Sequence, residues 1–115
     1  MDYVKSKDAI RFKNGDSCTA IEYEFKDEND INIAAIELSG RYPEQGYALN
    51  TICKELVYIK NGTGKLTTID SSINLEPGDT VLIKPNERYY FDGNMEILLS
   101  CSPAWSPSQY QNITD

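Results

Sequence analysis

Residues 78–93 read GDTVLIKPNERYYFDG, and residues 55–62 read ELVYIKNG. In both, short apolar or β-branched runs stop at Gly, Asn or Asp: Val81-Leu82-Ile83 ahead of Pro85-Asn86, Tyr89-Tyr90-Phe91 ahead of Asp92-Gly93, and Leu56-Val57-Tyr58-Ile59 ahead of Asn61-Gly62. Short runs bounded by turn residues specify strands. The same signature recurs outward at 20–25, 31–38, 66–69 and 95–100, with further turn chemistry at Asn14-Gly15, Asn29-Asp30, Ser39-Gly40 and Pro77-Gly78. No stretch sustains a 3.6-residue period. The one helical candidate is a short turn at 107–110, with Ser106 as N-cap and Pro107 at the first position. Closely spaced strands without helices predict an all-β antiparallel sandwich or barrel. A chain of 115 residues suits one domain, 1–115.

Composition narrows the chemistry. Lys plus Arg is 11 and Asp plus Glu is 18, for a net charge of −7, and histidine is absent. Without histidine there is no His-ligated zinc, iron or copper centre, no Ser-His or Cys-His nucleophile pair, and no imidazole switch. The acidic balance argues against nucleic acid, whose phosphates require a basic footprint. No apolar run approaches the roughly 20 residues that span a bilayer. The N-terminal MDYVKSKDAIRFK has no apolar signal core, so the expected location is the cytoplasm. Cys18, Cys53 and Cys101 are an odd set without CxxC spacing, which suits reduced, buried thiols. Glu22, Glu24, Asp27, Glu28 and Asp30 gather around one hairpin; because the glutamates alternate with Ile21, Tyr23 and Phe25, they are expected on a solvated strand face that discourages edge pairing.

The segment 47–93 resembles the two motifs of the cupin superfamily of small β-barrels. The first family motif reads G-x5-H-x-H-x(3,4)-E-x6-G, and here Glu55, six residues and Gly62 reproduce its second half. Its histidines fall on Ala48 and Asn50 with the longer spacer, or on Leu49 and Thr51 with the shorter. The second reads G-x5-P-x-G-x2-H-x3-N. Counting from Gly78 puts Lys84 at the proline position, with Pro85 displaced by one, then Asn86 at the glycine, Tyr89 at the histidine and Gly93 at the asparagine. Asn86 is a residue type that can take glycine's left-handed conformation. The resemblance implies a single-domain, jelly-roll-like cupin barrel with motif 1 at about 42–62 and motif 2 at 78–93. Cupin metal centres resemble a three-His, one-Glu set. The histidines are missing here, so the resemblance implies a barrel with no metal and no cofactor. Cys53, two residues before Glu55, leaves open an atypical Cys/Glu site.

Glu55 looks inward in the family. Strand alternation then places Val57 and Ile59 with it and Leu56, Tyr58 and Lys60 on the other face, where Tyr58 is positioned to pack a second layer or a dimer partner. On the motif alignment Asn50 and Tyr89 line the pocket near Glu55, and Phe91 shares its interior. Arg41, before motif 1, offers a guanidinium to an acidic or phosphorylated ligand, a surface ion pair being its commoner fate. Trp105, between Pro103 and Pro107, sits in a segment unfit for a central strand and is expected to cover the barrel mouth or a partner's surface. The expected ligand pocket is therefore Asn50, Glu55, Tyr89, Phe91, Arg41 and Trp105, with the Glu55 pKa raised by lost hydration.

Three functions follow from this reading. The first is a metal-free cupin that binds a carbohydrate- or carboxylate-like small molecule, as a homodimer, with no nucleic acid or membrane partner. The second is an isomerase- or epimerase-type cupin using Glu55 and Tyr89 for proton transfer, although such members generally rely on a histidine. Tyr89 would need a cation such as Lys84 or Arg88 beside it to act as a base near pH 7. The third is a structural or regulatory homodimeric module, centred on Trp105, without catalysis.

Overall fold

The computed structural model describes residues 1–114 and folds them into nine strands: β1 (Ile10–Lys13), β2 (Cys18–Tyr23), β3 (Asn32–Tyr42), β4 (Tyr47–Asn50), β5 (Lys54–Thr68), β6 (Ser72–Leu75), β7 (Thr80–Ile83), β8 (Tyr89–Ser102) and β9 (Tyr110–Ile113). Every pairing is antiparallel. The sheet runs β1-β2-β3-β8-β4-β9, and β5 joins it through β8 while also pairing with β6 and β7. This curled antiparallel sheet is the expected barrel-like class. Short 3-10 turns lie at Ser6–Asp8 and Pro107–Gln109. The second is the expected C-terminal turn with Pro in its first positions, although Ser106 makes no side-chain cap and accepts the Gln109 N–H through its backbone carbonyl instead.

Register sorts side chains onto two faces, because directly opposed residues in an antiparallel pair point the same way. One inner row holds Phe12, Ala20, Ile36, Ile97 and Ile59. The next holds Ile10, Glu22, Ala34, Leu99 and Val57, and a third holds Asn32, Cys101 and Glu55. β5 follows the expected phase: Glu55, Val57 and Ile59 are buried, while Leu56, Tyr58 and Lys60 are exposed. β2 runs in the opposite phase to the expected one. Cys18 and Ala20 are the buried residues, so Glu22 points inward with them and Ile21 lies on the outer row with Ala35, Leu98 and Tyr58. Small inward side chains leave room for a cavity, and the larger Ile21 gave a misleading phase.

Three expected turns are absent as turns. Ser39-Gly40 lies within β3, Asn61-Gly62 within β5 and Asp92-Gly93 within β8. Each glycine has positive φ (111°, 82° and 146°), and a bulge falls between Ile59 and Asn61. These features bend continuous strands so that the sheet can curl, rather than reverse the chain. β1, β4, β6 and β9, for which the sequence pattern predicts no strand, have four residues each; their neighbours define them more than their own alternation does. Asn86 takes φ +66°, the left-handed conformation that the motif position asks for.

Gly93 and Gly64 face each other across β8 and β5, and a Cβ on Gly93 would overlap the Gly64 Cα and the Thr63 carbonyl oxygen. Gly78 also has positive φ, 93°, but a Cβ there meets nothing. Gly78→Ala should cost about 1–2 kcal/mol from backbone conformation alone. Gly93→Ala should cost about 3 kcal/mol or more, because the overlap adds to it. Urea unfolding of both variants tests this, and equal midpoints would contradict the close-approach argument.

Candidate functional site

A cavity of about 780 Å³ opens between the inner rows and the C-terminal segment. Its deep end is lined by Glu55, Asn50, Tyr89, Phe91 and Cys101, all buried. Trp105, Tyr110 and Glu22, partly exposed, stand nearer the opening. The structure thus brings together Asn50, Glu55, Tyr89, Phe91 and Trp105.

A chain of donors fixes the acid. Trp105 Nε1–H donates to Asn50 Oδ1 at 2.8 Å, and Asn50 Nδ2 donates to Glu55 Oε1 at 2.7 Å. Because an indole N–H can only donate, it sets which end of the amide faces Glu55. Tyr89 O–H donates to the same Oε1 at 2.8 Å. Glu55 Oε2 meets the Cys101 thiol, at 4.0 Å. Burial raises the Glu55 pKa above its ordinary 4.5, and the Tyr89 and Asn50 hydrogen bonds offset part of that rise. With Oε1 accepting twice, the proton that this burial favours belongs on Oε2.

Tyr89 is a hydrogen-bond donor to the acid. Burial, then the neighbouring Glu55 charge, pushes its phenol well above 10, so it stays protonated and serves as a donor to the carboxyl. Lys84 and Arg88 do not line the cavity. Tyr89 also packs edge-on against Phe91, with ring centroids 5.7 Å apart.

The C-terminal segment is tied down over the opening. Asn32 Oδ1 accepts the Trp105 backbone N–H at 3.1 Å, and Asn32 Nδ2 donates to the Trp105 carbonyl at 3.3 Å. Buried Gln109 accepts the Cys53 N–H through Oε1 at 2.9 Å. Trp105 therefore lies at the cavity, its ring 6.5 Å from that of Tyr110. Asn32, Gln109, Tyr110 and Glu22 escaped the sequence reading. Only Glu22 carried a usable signal, its two-residue spacing from Cys18 and Ala20 on one strand face.

Arg41 is a correction. On β3 it alternates with Tyr42, which lines the cavity, so its own side chain leaves on the other face. Its guanidinium stacks 3.9 Å above the Tyr90 ring and donates to the Gly46 carbonyl at 2.8 Å. No acidic ligand in the cavity meets it.

The four motif positions converge as the longer spacer requires: Ala48 pairs with Tyr89, and Asn50 and Tyr89 both reach Glu55. Their donor atoms do not fit the metal that the resemblance associates with them. Ala48 has no ligating atom, both ends of the Asn50 amide are engaged, and Tyr89 keeps its proton. Burial and the Glu55 charge also raise the Cys53 and Cys101 thiols, so neither is a ready thiolate. Among the described residues no group of three or more Cys, Asp or Glu is arranged to hold a metal ion. No helix among them is long and apolar enough to cross a membrane.

No family model and no curated protein sequence matches the chain. Solved structures do match it. A variant of Streptomyces PAC13 with uridine superposes with a TM-score of 0.87 at 17% identity, covering 98% of this chain and 92% of that one. PAC13 is described as a unique nucleoside dehydratase. The polyketide cyclase RemF from Streptomyces resistomycificus gives 0.77 at 14%, over 100% of this chain and 87% of that one. Ectoine synthase from P. lautus gives 0.76 at 13%, over 98% and 90%. These are cupin-fold proteins. The fold of this chain is that of the cupin superfamily.

The raised Glu55 pKa has a consequence for stability. A group whose folded pKa lies above its unfolded value contributes stability that is complete below the unfolded pKa and is lost as pH rises through the folded one. Glu55→Gln keeps an acceptor for Asn50 and Tyr89 without a buried charge. The variant should therefore match the wild type near pH 4 and exceed its stability by a margin that grows toward pH 8. Denaturant unfolding at both pH values measures this, and a margin that shrinks with pH would contradict it.

Proposed function

We propose that this chain is a metal-free cupin that binds a small ring-bearing organic molecule, carbohydrate- or nucleoside-like, inside its barrel. The observation that carries the reading is the donor chain from Trp105 through Asn50 to Glu55 at the deep end of a cavity of about 780 Å³. A largely apolar cavity of several hundred Å³ with a few convergent polar groups is the usual make-up of a small-molecule site. The likeness to PAC13 with uridine supports a nucleoside as the first ligand to try. Trp105 and Tyr110 provide aromatic surface for a planar ring.

Proton-transfer catalysis is the second reading, and the raised Glu55 pKa favours it. In that case Glu55 is the exchanging group through Oε2, and Tyr89 positions it without itself exchanging a proton. The three buried cysteines, none in a disulfide, suit a reducing compartment, in keeping with a cytoplasmic location.

The homodimer reading rests on the outer face. Leu56, Tyr58 and Leu82 are 53%, 45% and 49% exposed there, on paired strands, beside Leu98 and Ile21. An apolar sheet face of this kind is suited to a second copy.

Two experiments test these readings. Uridine at saturating concentration should raise the melting temperature of the wild type, and Trp105→Ala should weaken its binding roughly threefold to tenfold through lost aromatic contact. No shift with uridine, other nucleosides or monosaccharides would remove the ligand reading. Sedimentation equilibrium should give twice the 13.0 kDa chain mass for the wild type and the single mass for Leu56→Glu; a monomeric wild type overturns the dimer.

A further inference from the structure

The side chains around the cavity are strongly one-sided in charge. Glu55 lies at its deep end, and Glu22, Glu24 and Glu28 line its outer part. Among the described residues no lysine or arginine lines it. Two arginines on the strands that form the wall are turned elsewhere. Arg41 leaves on the opposite face of β3 and stacks on Tyr90. Arg11 pairs with Glu37 at 2.6 Å, and register puts both on the outer face. Glu22 is only partly exposed in its inner row, and its carboxyl is pushed up by burial and by the Glu24 charge, with no cation among the causes.

We infer that the cavity selects its ligand by charge, admitting molecules without an anionic group and rejecting their phosphorylated or carboxylated counterparts, with Glu22 as a specificity-determining residue at the wall. This rests on the proposal that the barrel binds a nucleoside- or carbohydrate-like molecule, and it speaks against the carboxylate-like ligands that the sequence alone left open. An anion entering the cavity loses water and meets the carboxylates of Glu22, Glu24 and Glu28 along the outer wall, with no guanidinium or ammonium among the lining residues to replace its hydration. Like charges also act before contact, since the net charge of −7 repels an anion during approach. A neutral ligand meets neither obstacle. The carboxylates themselves are not arranged as a cation site.

Calorimetric titration with uridine, uridine 5′-monophosphate and the neutral dimethyl ester of that monophosphate separates charge from size. At low salt the monophosphate should bind at least tenfold more weakly than uridine, and the bulkier ester within about threefold of it. The gap should narrow at high salt, as screening predicts, and also in Glu22→Gln. A monophosphate that binds as tightly as uridine overturns the selection while leaving the ligand reading intact. So does an ester as weak as the monophosphate, or a gap that moves with neither salt nor Glu22→Gln, since each assigns the difference to shape. If neither uridine nor any other nucleoside or monosaccharide binds, the ligand reading fails and this inference falls with it.

Discussion

The site depends on one buried carboxyl whose two oxygens have unequal company. Glu55 is 4% exposed, and removing such a group from water is costly unless donors surround it. Oε1 receives two donors, from Asn50 at the end of β4 and from Tyr89 at the start of β8, while the acid itself sits on β5. Three strands are therefore held at one atom. The fourth member, Trp105, brings in the C-terminal segment through the same amide. Losing any one of these partners leaves another buried polar group short of a partner, which makes the network cooperative.

The network occupies the positions that the cupin motifs associate with a metal. A metal holds several ligands in place through its own charge. Here Ala48, Asn50 and Tyr89 stand at the histidine positions, and convergence is kept by donation toward the carboxyl. The exchange alters the chemistry available. A metal site needs deprotonated ligands and holds a fixed positive charge, whereas this arrangement raises the pKa of both the acid and the phenol. What the cavity can offer a ligand is a weak acid, an aromatic wall and amide edges.

Much of this was legible in the sequence. The phase of β5 was legible through the family resemblance, which turns Glu55 inward; alternation then puts Val57 and Ile59 in the core and Leu56 and Tyr58 outside it. Asn86 could be assigned its left-handed position because few residue types tolerate one. The phase of β2 was not legible: Ile21 outweighs Ala20 in hydrophobicity, but cavity space favours the smaller residue. Asn-Gly and Asp-Gly read as turns, yet whether a glycine reverses a strand or bends it depends on what lies opposite, and here Gly64 faces Gly93. Arg41 misled for a related reason. Its place before the motif gave its neighbourhood, whereas the pleat of β3 gave its direction. Asn32 and Gln109 were invisible because their value lies in reaching a segment more than 50 residues away or more than 70.

The same pleat explains why the cavity is acidic. Glu22 and Glu55 occupy inner positions of β2 and β5, whereas Arg11 and Arg41 occupy outer positions of β1 and β3. A one-residue change of phase in β3 would put a guanidinium inside and remove Tyr42 from the wall. Register, set by which residues the core can accommodate, thereby determines the sign of the interior field. Burial raises the Glu55 pKa, and its own donors oppose that rise only through Oε1. The phase of the strands in this sense sets which charged groups face the cavity and which face outward.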